Sequence, residues 1–246
     1  MEPTDELFSL RDFSGDQPQE THLEVATGAV LIRNWLSEEQ QRYLVNQFRR
    51  WAAGPVPPRS PVISGHPMSV QSVSLGWHWK PYAYTRTASD VNGAEVLPLP
   101  QWLIDVGARA ASEAFERYPP TASARWFSRE DAQFHADAAL LNYYSPDAKM
   151  GMHQDKDEAT NDPVVSFSLG DSCIFRFGNT ENRNKPYQDI QLNSGDLFVF
   201  GGPSRYAFHG VPKILPGTSP AHCDLANGRI NITLRNTGAP HAISNK

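Results

Sequence analysis

The sequence predicts an α+β fold with a mainly β core, a jelly roll flanked by N-terminal helices. Three observations predict it. Segments with helical periodicity are confined to the first half of the chain. Short apolar runs of strand length crowd the second half, from residue 138 onward. Turn signals separate those runs: Ser145-Pro146-Asp147, Gly170-Asp171, Asn193-Ser194-Gly195 and Gly201-Gly202-Pro203.

Taken in order, residues 1–22 are polar with little periodicity and are expected to form a loose tail. Val30-Leu31-Ile32 reads as a first strand. Ser37 is placed to cap a helix, with Gln40 at the reciprocal position of a capping box. The helix after it spaces Tyr43, Leu44, Gln47, Phe48 and Trp51 by threes and fours, which makes one apolar stripe. Residues 54–67 are rich in proline and glycine and predict an extended connector. A second helix follows Pro100, with Leu103, Val106, Ala110 and Ala114 on one side. The strands then run Ala139–Tyr144, Val164–Leu169, Cys173–Phe177, Asp189–Leu192, Leu197–Phe200 and Arg229–Arg235. Residues 23–137 are thus support and 138–240 the β core, within one integrated domain over 23–240.

Composition sets bounds on function. With 246 residues, 39% of them hydrophobic, the chain can bury one good core. The acidic, polar start Met-Glu-Pro-Thr-Asp-Glu predicts no secretory signal, and no apolar run approaches membrane-spanning length. Two cysteines, Cys173 and Cys223, are too few for a disulfide scaffold, so a reducing cytoplasm is expected, with a monomer as the default state. A net charge of −5 argues against a coat-type nucleic-acid binder, although a local basic groove remains compatible with it.

Four constellations carry chemistry. His153 and Asp155 are two residues apart, so in extended chain both leave one face. An imidazole and a carboxylate so placed are two thirds of the facial triad that non-haem Fe(II) oxygenases use. His209, in Phe-His-Gly after an apolar strand and a glycine turn, is the candidate third ligand. A hydrogen-bonded loop histidine is the plainer reading of it. In Arg229-Ile-Asn231-Ile-Thr233-Leu-Arg235 the polar residues share one face. That face either meets water on an edge strand or points inward to bind something charged, and two guanidinium forks suit a dicarboxylate. Asn142 and Tyr144, again two apart, can add hydrogen bonds to the same ligand.

Together, Asn142-x-Tyr144, His153-Gln-Asp155-Lys-Asp157-Glu158, Phe208-His209-Gly210 and Arg229-x-Asn231-x-Thr233-x-Arg235 resemble the AlkB family of Fe(II)/2-oxoglutarate dioxygenases, and the bacterial alkylated-DNA repair proteins most of all. The resemblance covers roughly residues 68–238. It implies a double-stranded β-helix core with a nucleotide-recognition lid within residues 23–137. It implies Fe(II) on His153, Asp155 and His209, and 2-oxoglutarate against Asn142, Tyr144, Arg229, Asn231, Thr233 and Arg235, with the second arginine nearer the metal. O2 is the other co-substrate. The implied reaction is oxidative demethylation of 1-methyladenine and 3-methylcytosine in single-stranded DNA, double-stranded DNA or RNA, releasing formaldehyde, succinate and CO2. Leu75-Gly76-Trp77 and Tyr82-Ala83-Tyr84 resemble the lid aromatics, with a separation about two residues short.

The methylated targets are cations, so a carboxylate with π faces beside the iron would select them. The resemblance gives Asp157 that role, with Glu158 beside it, Trp77 and Tyr82 supplying rings, and Arg183 bordering the pocket. Lys149, Lys156, Arg86 and Arg205 are candidate phosphate contacts, and His209 is a candidate to stack on the base. The remaining histidines, His78 among them, show no partner pattern. Three rivals stay open: a dioxygenase acting on RNA or protein, a binding module without activity, and a zinc hydrolase on the same three ligands. The last would leave the paired arginines unexplained.

Overall fold

A computed structural model describes residues 7–8, 22–117 and 133–239. Period-two alternation in the strands sorts side chains between two cores. Strand β1 spans His22–Ala26 and β2 Ala29–Ile32. The strands β3 (Val62–Ile63), β4 (His66–Pro67), β5 (Val70–Leu75), β6 (His78–Lys80) and β7 (Ala83–Thr85) follow. The remainder are β8 (Ala138–Tyr144), β9 (Met150–His153), β10 (Val164–Gly170), β11 (Ser172–Gly178), β12 (Tyr187–Leu192), β13 (Leu197–Phe200), β14 (His209–Leu215) and β15 (Arg229–Arg235). A major sheet runs β1-β2-β13-β10-β15-β8-β5 and a minor sheet β12-β11-β14-β9. The two face each other as a jelly roll, with β3–β4 and β6–β7 as separate two-stranded ribbons.

Helix α1 spans Glu38–Ala52. Ser37 and Gln40 form the expected capping box, with Gln40 N–H donating to Ser37 Oγ at 3.2 Å and Ser37 N–H to Gln40 Oε1 at 2.9 Å. Helix α2 spans Gln101–Arg117. Both helices cover the outer face of the major sheet, where Leu44, Val45, Leu103, Val106 and Ala110 pack on Val199, Phe167, Ile230, Ile232 and Leu234. The inner face of the same strands meets the minor sheet, through Phe198 and Phe200 against Phe175 and Phe177.

The polar strand Arg229–Arg235 is therefore not an edge. It lies between β8 and β10, with Ile230, Ile232 and Leu234 in the outer core and its polar residues turned into the barrel. The six strands expected beyond residue 138 are all present within two residues at either end. Two more, β9 and β14, were not expected, since each is short or interrupted by glycine and proline. The connector over 54–67 ends in the ribbon β3–β4, turning through Ser64 and Gly65 at φ 51° and 81°. Phe8, within the expected loose tail, instead stacks on Trp102 at 5.2 Å and is buried. Leu7 packs beside it, and the rest of that segment before His22 lies outside the described residues.

Candidate active site

Register brings the site together. In the β8–β15 ladder Tyr144 pairs with Arg229 and Asn142 with Asn231, so motifs almost 90 residues apart in sequence become side-by-side neighbours. In the β14–β9 ladder His209 pairs directly with His153. That pairing needs a close backbone approach, because a Cβ on Gly210 would stand 2.7 Å from Met150 O. Gly228, at φ +81°, makes the turn into β15, and its N–H donates to the buried Asp171 carboxylate at 2.8 Å. Asp171 also accepts from the amides of Thr218 and Ser219, which anchors the long loop between β14 and β15.

Three candidate metal ligands converge. His153, Asp155 and His209 offer atoms that all lie within 4.8 Å of one another. Each histidine Nε2 stands 3.6 Å from a different oxygen of Asp155. Both Nδ1 atoms face backbone carbonyls two residues upstream, Gly151 O at 3.0 Å and Ala207 O at 2.9 Å. A carbonyl can only accept, so each Nδ1 carries a proton and each Nε2 is the nitrogen turned toward Asp155, free to ligate a metal. Two imidazoles and one carboxylate on one side of an empty volume are a donor set that fits ferrous iron. Burial, then His153, pushes the His209 imidazolium pKa down to about 4. Burial would raise the Asp155 carboxyl, but Arg235, with the two histidines and Arg205 after it, holds it below the usual carboxylate range.

Behind the triad lies a small cavity lined by Asn142, Tyr144, Arg229, Asn231, Thr233 and Arg235, so all six residues expected to hold the co-substrate share one wall. Arg229 is 2% exposed, and among the described residues only its Nη2 has a hydrogen-bond partner, Ser168 Oγ at 3.0 Å. Its Nε and Nη1 are buried without any. A guanidinium left so in a dry pocket calls for an anion, and a carboxylate matches its fork. Asn231 and Thr233 are tied to each other and to Ser166, which fixes the wall. Arg235 sits at the metal end. It meets Asp155 Oδ2 at 2.8 Å and Glu158 Oε1 at 2.9 Å. Most of its donors are therefore already engaged by protein carboxylates, and only Nε stays buried and unmatched.

A larger cleft opens from the iron ligands to the surface. Of the residues expected to meet substrate, Tyr82, Asp157 and Arg183 line it, together with His153, Lys149 and Lys156. Trp77 does not. It lies in the turn after Gly76 (φ +73°), before β6 begins, buried with the Arg86 guanidinium 3.7 Å over its ring. The indole at the cleft is Trp79, whose Nε1–H donates to Asp157 Oδ2 at 2.9 Å. Glu158 also turns away. Its side chain is fully buried against Arg205 and Arg235 and accepts from the Tyr84 hydroxyl at 2.6 Å. Arg205 and Arg86 are likewise committed, Arg205 to Glu158 and the carbonyls of Asp155 and Asp162, Arg86 to Gly76 O. Of the two imidazoles, His153 faces the cleft, while His209 is enclosed by Phe200 and Phe175.

Two features escaped the sequence. Trp79 was masked by the Gly-Trp pair just before it. His78, read without a partner, bonds Asp90 at 2.6 Å and lies 3.1 Å from Arg59, which in turn donates to Trp79 O. This trio, with His78 buried at its centre, braces the ribbon that carries Trp79, and no spacing rule links residues 59, 78 and 90.

Comparison with known proteins agrees with the geometry. The profile of the 2OG-Fe(II) oxygenase superfamily matches residues 28–235. The alpha-ketoglutarate-dependent dioxygenase AlkB of Escherichia coli is 33% identical over 222 residues, 87% of this chain and 92% of that protein. The DNA N(6)-methyladenine demethylase ALKBH1D of Arabidopsis thaliana is 31% identical over 231 residues, 87% of this chain and 50% of that protein, so the chain spans about half the length of that relative. The solved structure of OsALKBH1 superposes with a TM-score of 0.74 at 32% identity, covering 87% of this chain and 100% of that one. The chain belongs to the AlkB family of the 2OG-Fe(II) oxygenase superfamily, whose metal is Fe(II) and whose co-substrates are 2-oxoglutarate and O2.

Proposed function

We propose that the protein is an oxidative demethylase of N-alkylated nucleobases, acting on 1-methyladenine and 3-methylcytosine in single-stranded DNA, with duplex DNA and RNA as further substrates. It would act as a monomer in the cytoplasm, in keeping with two free, buried cysteines. No helix among the described residues is long and apolar enough to cross a membrane. The observation that carries the reading is Asp157, a carboxylate at the cleft beside the iron ligands, held by the Trp79 indole.

When bound, ferrous iron with 2-oxoglutarate and O2 supplies the oxidising chemistry, turning an N-methyl group into a hydroxymethyl with release of succinate and CO2. The hydroxymethyl then breaks down to formaldehyde and the restored base. The chain supplies placement and exclusion of water. Arg229 would take the far carboxylate of 2-oxoglutarate in the dry cavity, with Tyr144 and Asn142 beside it. Burial pushes the Tyr144 hydroxyl up to about 12, so it stays a hydrogen-bond donor across the working pH range. In the cleft, Trp79 and Tyr82 offer ring faces and Asp157 a negative charge, a combination that favours a cationic ring over a neutral one. A base must leave its stack to enter, and a methylated pair is easier to open than an intact one.

Asp157→Asn keeps an acceptor for Trp79 and removes only the charge. Turnover of 1-methyladenine and 3-methylcytosine is expected to fall by tens- to hundreds-fold, since a cation–carboxylate contact at an effective dielectric near 20 is worth a few kcal/mol. Succinate formation without nucleic acid should hold. N6-methyladenine, the neutral base in the name of the Arabidopsis relative, should lose less. Equal losses on charged and neutral bases would show that Asp157 does not select by charge.

A further inference from the structure

Tyr84 pairs with Trp79 across the ribbon that presents the indole to the cleft, and its hydroxyl reaches the network beside the iron site. It donates to Glu158 Oε1 at 2.6 Å and accepts from Arg235 Nη1 at 3.2 Å. Arg235 Nη1 reaches the same Glu158 oxygen at 2.9 Å, and its Nη2 meets Asp155 Oδ2 at 2.8 Å. Arg205 closes the far oxygen of Glu158 at 3.0 Å. Glu158, Arg205 and Arg235 are all under a tenth exposed. Water therefore has little access to this chain of contacts, and charge-assisted bonds count for most in such surroundings.

The ribbon needs such an anchor. Strands β6 and β7 are three residues each and pair only with one another, and a lone two-stranded ribbon is marginal in water. The Arg59–His78–Asp90 trio holds its Trp79 end. Tyr84 holds its other strand, and does so on the partner of an iron ligand.

We infer that Tyr84 is a positioning residue: through Glu158 and Arg235 it sets the carboxylate of Asp155, and so couples order in the nucleotide-facing ribbon to loading of the iron site. Coupling of this kind is reciprocal, so loading the iron site must in turn order the ribbon by the same factor. The inference rests on iron at His153, Asp155 and His209 and is independent of which base the cleft accepts.

Tyr84→Phe deletes one oxygen and keeps the ring, leaving Glu158 paired with both arginines, so the fold is expected to stand. Amide hydrogen exchange is followed on the full chain, anaerobically, with and without Fe(II) plus 2-oxoglutarate. In the wild type, loading should slow exchange at residues 78–80 and 83–85 by about fivefold or more. In Tyr84→Phe that protection should largely vanish, while β10 and β15 exchange as in the wild type. Anaerobic Fe(II) titration in the presence of 2-oxoglutarate should show affinity weakened by the same factor as the protection lost, an equality that a merely structural role would not produce. Ribbon exchange in the wild type that ignores loading would overturn the inference whatever the variant does. So would equal protection in both proteins, or an unchanged Fe(II) affinity in Tyr84→Phe.

Discussion

His153→Ala is expected to abolish succinate formation and base demethylation while lowering stability by no more than about 1 kcal/mol. The asymmetry follows from geometry. The His153 side chain is 35% exposed and contacts its own strand mainly through one bond to Gly151 O, so folding loses little. The metal site loses one of three donors. Asp155→Ala should abolish turnover equally but cost more stability, because Arg235 then keeps a buried guanidinium with one carboxylate partner fewer. Metal content after anaerobic Fe(II) loading and urea denaturation separate the two effects. A His153→Ala protein that retained bound iron and turnover within a few-fold of wild type would remove the triad from the account.

Arg229→Ala should raise the dissociation constant of 2-oxoglutarate by roughly 30- to 1,000-fold, the equivalent of about 2–4 kcal/mol for a charge-assisted fork in a dry pocket. Two of its guanidinium nitrogens are buried without hydrogen-bond partners among the described residues, so they are open to a ligand and the fold gains little from them. Arg229→Lys should fall between, keeping charge and losing the fork. Anaerobic calorimetry with Fe(II) present reads all three proteins, and an affinity unchanged in Arg229→Ala would mean that the cavity holds no carboxylate there.

The two arginines, alike on one strand face in the sequence, differ in the fold. Alternation put Arg229 and Arg235 on one face without deciding whether it met water or the barrel interior, and the resemblance put the second nearer the metal. Nothing in the sequence shows that Arg235 is already neutralised by Asp155 and Glu158, since those contacts join β15 to the segment after β9. The same limit hid the fate of Glu158. An acidic pair next to a metal motif looks like one surface, yet successive residues point apart, and here Asp157 faces the cleft while Glu158 meets Arg205 underneath. The outer core, the capped helix and the central β strands were legible because period and capping are local. Strands β9 and β14 were not. Gly210 and Pro212 interrupt the second, which forms along β11, and β9 then pairs onto it where His153 meets His209. Trp77 was misplaced for a related reason: the glycine turn before β6 shifts which indole reaches the cleft.

The most direct measurement uses an oligonucleotide carrying a single 1-methyladenine or 3-methylcytosine, incubated with the protein, Fe(II), 2-oxoglutarate and O2. The predicted result is restoration of the unmodified base with formaldehyde and succinate formed one for one, and no product when iron, 2-oxoglutarate or oxygen is left out. Succinate accumulating at the same rate with and without the oligonucleotide, the methyl group untouched, would contradict a nucleobase demethylase and leave only the oxygenase core.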